Sequence, residues 1–525
     1  MSAARPPEGA RPLLQEGVRE VHEVTSLGEA GMSTQDTSLP VDFEDIQGLV
    51  RYGYKRLTQA CFLLLRIRDV EAARAWLASA PVTPAIEQQP PPRTALQIAI
   101  SAPGLHKLGV ARDIVEGFSA EFLAGMSSDA SRARRLGDLG ANDPAGWRWG
   151  GAPHEVPHVL LMLYAIPGEL DRWLATVRAQ CDAGFEQTDR FYTATLDETE
   201  PFGFNDGISQ PRVDWERRRA ARDEEQFVFT NRSCLGEYLL GYPNEYGAYT
   251  DRPLLEPQRD PDSLLPRAED APGLADLGRN GSYLVMRQLR QDVGGFWQFM
   301  DREAGGDPML RRRLAEAMVG RKMQGGEALV GRGRERIDGI DADEQLRNGF
   351  TYRRDPDGLR CPLGAHIRRA NPRNADLPPG LANPISRLWR RLGFGADPLR
   401  PDLVASTRFH RLLRRGREYG GGPGEETGLH FICLGANIGR QFEFVQNAWM
   451  AGTRFNGLSG ESDPLLGHRL QDPDGSPTDG FSIPVGSGPD RRLSGLPQFV
   501  TVQGGAYFFL PGIRALRYLS RAQPS

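Results

Sequence analysis

The chain has 525 residues, of which 39% are hydrophobic and 25% charged, enough to bury a sizeable core and unlike a collagen-like, mucin-like or wholly disordered protein. A net charge of −4 and a pI near 6.2 offer no basic field to neutralise a nucleic-acid backbone. Five widely spaced cysteines with no C-x-x-C pair, and only eight histidines, argue against a disulfide framework, a zinc site or a multi-histidine metal centre.

Residues 1–40 are polar and rich in Gly, Pro and Ser, and read as a mobile tail without the apolar core of a signal peptide. No stretch reaches the ~18 apolar residues of a membrane span. A soluble, cytoplasmic protein with neither membrane nor nucleic acid as partner is expected.

Four strand–helix units follow. Cys61–Ile67 (CFLLLRI) reads as a strand, then a helix after Asp69 with Val70, Ala73, Trp76 and Leu77 as its apolar stripe. His158–Ala165 (HVLLMLYA) is the second strand. Its helix is expected to open at Pro167 and to carry Leu170, Trp173, Leu174 and Val177 on one face. Ser282–Gln288 (SYLVMRQ) is followed by a helix bearing Val293, Phe296, Trp297 and Met300. Leu429–Leu434 (LHFICL) is followed by one bearing Ile438, Phe442, Val445 and Trp449. Strands this apolar belong to a sheet covered by helices.

Two units in each half, with further strands such as Leu96–Ser101 between them, suggest a duplicated βαββαβ, ferredoxin-like plan; the same patterns also fit unrelated α/β units. Residues 41–250 would form the first domain, 251–278 an inserted linker loop, and 279–525 the second domain. Pro308–Arg321 reads as an exposed helix with a solvated arginine face. Residues 472–490 read as a long loop.

Three blocks could carry chemistry. In GFNDG, Gly203–Gly207, the glycines allow close backbone approach and present Asp206, a carboxylate suited to proton transfer or cation binding; the pattern also fits an Asx turn capping a helix. In CPLGAHIRRANPR, Cys361–Arg373, His366 offers an imidazole suited to iron. Arg360, Arg368, Arg369 and Arg373 suit carboxylates such as propionates, and Cys361–Pro362 raises a thiolate option. FHRLLRRGREYG, Phe409–Gly420, is an arginine-rich turn. No phosphate loop, G-x-S-x-G or H-E-x-x-H occurs.

Together these blocks resemble the dye-decolorizing peroxidase family, haem enzymes of duplicated ferredoxin-like architecture, in its longer, elaborated form. Weaker matches at 235–247, 279–292, 440–449 and 504–512 extend the resemblance over roughly residues 41–520. It implies an α+β fold of the dimeric α+β barrel type, with haem b (iron protoporphyrin IX) held mainly by the C-terminal half. By that resemblance His366 is the iron ligand, Asp206 the distal acid, and Arg414 the distal arginine, with Arg411 and Arg415 close by. Arg373 is a propionate partner, and Glu443 and Asp463 are both candidates for the acid behind His366. The implied partners are hydrogen peroxide and a phenolic or dye-like electron donor, the donor reached through a surface relay for which Tyr352, Trp389 and Trp449 are candidates. Arg417–Glu418 replaces the family's more usual apolar–Pro pair and puts that loop's shape in question. A haem storage, delivery or iron-release protein would need His366 but not Asp206 and Arg414.

Overall fold

The computed structural model describes residues 40–152, 154–196, 199–217, 232–331, 342–373, 406–421, 424–472 and 474–521. All but the last residue of the expected N-terminal tail, and Trp389, lie outside them.

Among the described residues, nine strands form one antiparallel sheet. They are β1 (Gln59–Ile67), β2 (Thr94–Ile100), β3 (Val159–Ala165), β4 (Phe185–Tyr192), β5 (Ser282–Gln291), β6 (Leu413–Arg414), β7 (Arg417–Tyr419), β8 (Gly428–Gly435) and β9 (Val500–Leu510). Their order is β6-β8-β5-β9-β2-β3-β1-β4, with β7 also on β8. The first four strands run 2-3-1-4 and the last set repeats that order, so each half is a ferredoxin-like unit and the fold is α+β with an internal duplication. The halves join at Phe509 and Ile100. On the other side the Ala194 N–H donates to the Glu418 carbonyl at 2.8 Å.

Alternation along the strands divides the apolar residues into two layers. Phe62, Leu64, Leu160, Met162 and Tyr164 of the first half pack with Leu284, Met286, Ile432, Leu434 and Phe508 of the second, in one core between the two units. The opposite faces, with Leu63, Leu161, Val285 and Tyr507, lie under helices. Both faces are buried, which is why the strands read as nearly continuous apolar runs.

Helix α1 (Val70–Ser79) starts where Asp69 accepts the Ala72 N–H at 2.9 Å. Helix α2 (Leu170–Cys181) begins later than Pro167 suggested, because Gly168 takes a φ of +82° and holds 167–169 in a turn. Helix α3 (Val293–Ala304) follows β5 as expected. Helix α4 (Pro308–Val319) is not simply exposed. Leu314, Ala315, Met318 and Val319 are buried, while Arg311 and Arg312 pair on the outer side with Asp301 and Glu316. After β8 the chain is π-helical over Gly439–Glu443 and Val445–Ala451, a widened coil that 3.6-residue periodicity does not reveal. No helix among the described residues is long and apolar enough to cross a membrane.

Phe508 is fully buried between the two units. Phe508→Ala is expected to cost about 3–5 kcal/mol of stability, read as a lower denaturation midpoint.

Candidate active site

A cleft enclosing about 1940 Å³ of space not filled by protein, part of it open to solvent, lies on the helix-covered face of the C-terminal unit. Its floor is Arg287, Leu289 and Gln291 of β5, Leu429 and Phe431 of β8, and Val500 and Val502 of β9. Its walls are the Asp206 loop, the His366 segment, the π-helix and Leu465–Leu466.

His366 opens a short helix, α5 (His366–Ala370). Its Nδ1 bonds to Asp463 at 3.0 and 3.2 Å. Asp463 is fully buried and also accepts the N–H groups of Leu465 at 2.9 Å and Leu466 at 2.8 Å. Burial alone would raise its pKa. The His366 imidazole, the Leu466 N–H and Arg369 outweigh burial and hold the carboxyl below its usual range. Burial likewise disfavours a charged His366, and Asp463 overcomes it, so the imidazole's pKa is raised. With Nδ1 engaged, Nε2 is the ring atom left to the cleft. This settles the choice left open between two acids. Glu443 lies elsewhere, paired with Arg132 and Arg135 and accepting from Tyr507 at 3.0 Å.

Asp206 and Arg414 line the same cleft. Arg414 Nη1 donates to Asp206 Oδ1 at 3.1 Å, Nη2 to the Ser209 carbonyl at 3.2 Å, and its backbone N–H to Gln210 at 3.0 Å. Both side chains keep about a third of their surface open, 29% for Asp206 and 34% for Arg414, so the pair faces the cavity. Burial pushes Asp206 up; Arg414, the Gly207 N–H and His366 outweigh it and hold the carboxyl below its ordinary value. Gly203 and Gly207 have φ of +96° and +68°, conformations that fit glycine. No helix follows the loop over residues 208–217, so Asp206 does not cap one there.

Arg415, next in sequence to Arg414, turns away and donates to the carbonyls of Leu49 and Val50 at 2.7 and 2.9 Å. Arg411 lines the cleft and donates to the Arg232 carbonyl and Ser233. Of the four arginines around His366 only Arg373 lines the cleft. Arg360 donates to the Val330 carbonyl, Arg368 pairs with Asp355, and Arg369 donates to the carbonyls of Trp449, Gly452 and Glu461. Arg373 donates to the carbonyls of Asn348 and Phe350 and lies 3.8 Å over the Phe350 ring. Cys361 is not a ligand candidate: it is fully buried beside Phe350 and Tyr352, does not line the cleft, and has its thiol pushed up to about 12 by burial.

Tyr352 is buried and so presents no surface. Trp449 is half-buried in the cleft wall against His410 and Phe444. The Arg417–Glu418 departure leaves the loop a strand, with Arg417 directed at the carbonyls of Gly53 and Tyr54 rather than at the cleft.

Sequence reasoning missed three charged groups in the cleft. Arg287 forms a buried pair with Asp138, at 2.5 and 2.9 Å. Arg321 is pushed down to about 10 by burial. Glu200 sits upstream of Asp206. An arginine among Val285, Leu289 and the other helix-facing residues of β5 was the one available signal, a charge interrupting an apolar face.

Porphyrin chemistry suits this donor set. No group of three or more His, Cys, Asp or Glu side chains that could hold a bare ion occurs among the described residues. A single imidazole suffices for an iron that brings its own ring nitrogens. Phe204, Ile208, Phe431 and Phe442 offer an apolar surface to a macrocycle, and Arg321, Arg373 and Arg411 offer charge to its carboxylates.

No family model matches the chain. It is 26% identical over 511 residues to dye-decolorizing peroxidase msp1 of Mycetinis scorodonius, covering 92% of this chain and 89% of that protein. It is 28% identical over 456 residues to the multifunctional dye peroxidase DyP2 of an Amycolatopsis species, covering 81% and 82%. The crystal structure of a dye-decolorizing peroxidase from Auricularia auricula-judae superposes with a TM-score of 0.67 at 24% identity, over 91% of this chain and all of that one. A peroxidase of the same type from Anabaena gives 0.65 at 21% identity, over 91% and 94%. Relatives matching nearly end to end, together with this fold, make the chain similar to the dye-decolorizing peroxidases over nearly its whole length. It is by class a haem-dependent peroxidase, an oxidoreductase.

Arg414→Leu removes the cation that holds Asp206 ionised. The Asp206 carboxyl is expected to titrate at higher pH in this variant, measured by carbon-13 NMR of labelled aspartate.

Proposed function

We propose that the protein is a haem b peroxidase that reduces hydrogen peroxide and oxidises phenolic or dye-like donors in the cytoplasm. The observation that carries this reading is the pairing of two constellations in one cleft: His366 backed by Asp463, and Asp206 held by Arg414. The haem would be held mainly by residues 279–525, with residues 41–250 contributing the Asp206 loop. His366 Nε2 would bind the iron, and Arg373 would meet a propionate. The haem supplies the redox centre at which the peroxide O–O bond breaks.

The chain's own residues handle the protons. Peroxide must lose a proton from one oxygen and gain it on the other for water to leave. Asp206 accepts that proton and returns it, and its lowered pKa keeps it ionised and ready over the working range. Arg414 holds the carboxylate in place and offers a fixed positive charge to the anion that forms. Asp463 orients the imidazole and raises its basicity. A storage or delivery protein would have no use for the Asp206–Arg414 pair. Donors follow the relatives: one is named a multifunctional dye peroxidase, and a related enzyme forms a complex with 2,6-dimethoxyphenol. All five cysteines are free, which suits a reducing compartment.

The test uses full-length protein purified with haem. His366→Ala is expected to lose most of its Soret absorbance. Asp206→Asn is expected to retain haem but to consume peroxide about 10²–10⁴-fold more slowly in stopped flow. Parent-like haem content in His366→Ala, or a parent-like rate in Asp206→Asn, would overturn the respective assignment.

A further inference from the structure

One carboxyl in the cleft has no part in the chemistry above. Glu200 lines the cavity, and its side chain is the hub of the turn that delivers Asp206. Oε2 accepts the Phe202 N–H at 3.0 Å and the Gln291 side-chain amide at 2.9 Å, and Oε1 accepts the Phe204 N–H at 3.0 Å. The backbone closes on the same turn. The Glu200 N–H donates to the Phe204 carbonyl at 2.9 Å, and the Gly203 N–H to the Glu200 carbonyl at 2.8 Å. Phe202 and Phe204 are buried, and Phe202 packs on Phe296 at 4.8 Å. A Cβ on Gly203 would come within 2.8 Å of Met323. The turn is therefore held firmly, and Asp206 follows Phe204 by two residues.

Two carboxyls in one cleft also act on each other through charge. Burial, and then the neighbouring Asp206, push Glu200 up to about 7 in spite of its three N–H donors. Of the other charged groups lining the cleft, Arg414 pairs with Asp206, Arg287 with Asp138 and His366 with Asp463, while Arg321, Arg373 and Arg411 donate to the carbonyls of Gly326, Asn348 and Arg232. The contribution from β5 is the neutral amide of Gln291.

We propose that Glu200 is the positioning residue of Asp206, folding the turn that presents the aspartate and carrying a charge that acts on it. The proposal rests on the proton-carrying role of Asp206. Protons leave the pair in order: Asp206 ionises at low pH while Glu200 is neutral, and Glu200 ionises near neutrality beside a charged Asp206. The second negative charge opposes the anion that forms when peroxide gives up its proton, so peroxide consumption falls as the pH rises through about 7.

The experiment combines an infrared titration with stopped-flow kinetics on the haem-loaded full chain. The parent is expected to lose a protonated-carboxyl band with a midpoint near 7, a band absent from Glu200→Gln. Asp206→Asn removes the like charge and moves that midpoint down. Gln291→Leu removes one N–H donor and moves it up, which gives a second variant should Glu200→Gln fail to fold. In kinetics, Glu200→Gln loses the inflection near neutral pH. A purely structural Glu200 would loosen the turn and leave that inflection in place. No band near 7 in the parent, a midpoint unmoved in Asp206→Asn, or an inflection retained in Glu200→Gln overturns the proposal. Undiminished peroxide consumption by Asp206→Asn would instead remove the reading on which it rests.

Discussion

A carboxylate with no exposed surface, Asp463, meets one imidazole, His366, and the rest of the site is arranged around that contact. A buried charge must be paired and hydrogen-bonded to persist. Here two backbone N–H groups and the ring nitrogen share the task. The result is a ring whose orientation is decided behind it and whose other nitrogen is left to the cleft. A metal ligand needs that: a fixed tautomer, a fixed direction and added basicity.

The duplicated fold supplies the room. The two ferredoxin-like units bury one set of strand faces against each other and leave the opposite faces for helices. In the C-terminal unit that second layer is opened rather than filled: an arginine, a glutamine and apolar side chains of β5, β8 and β9 form a floor, and loops and a π-helix form walls. Asp206 reaches this cleft from the first half of the chain and Arg414 from β6, so the site draws on both units. Buried arginines elsewhere, notably Arg368 and Arg369, tie loops to backbone carbonyls or a carboxylate and hold the walls in place.

Much of this was legible in the sequence because its signals are local. The apolar runs at 61–67, 158–165, 282–288 and 429–434 lie within the observed strands to within a residue, and the stripes after Asp69 and from Val293 to Met300 lie on helices. Asp206, His366 and Arg414, named from short blocks, share one cleft. What was not legible depends on long-range contacts or unusual backbone. The Asp463–His366 bond spans 97 residues, so spacing could not favour it over Glu443. The π-helix at 439–451 keeps apolar spacing that an α-helix would also show. The roles of Arg368, Arg369 and Arg415 depend on which carbonyls fold over them. Glu200 becomes visible only when its acceptor oxygens are seen at the centre of a turn.

The proposed chemistry turns on His366 as the iron ligand, with Asp463 tuning it. The most direct measurement is the iron–histidine stretching band in the resonance Raman spectrum of the reduced, haem-loaded protein, compared with Asp463→Asn. The parent is expected to show a band that shifts to lower frequency in the variant, as the imidazole loses its charged partner. A parent without such a band, or one whose frequency is the same in Asp463→Asn, would contradict it.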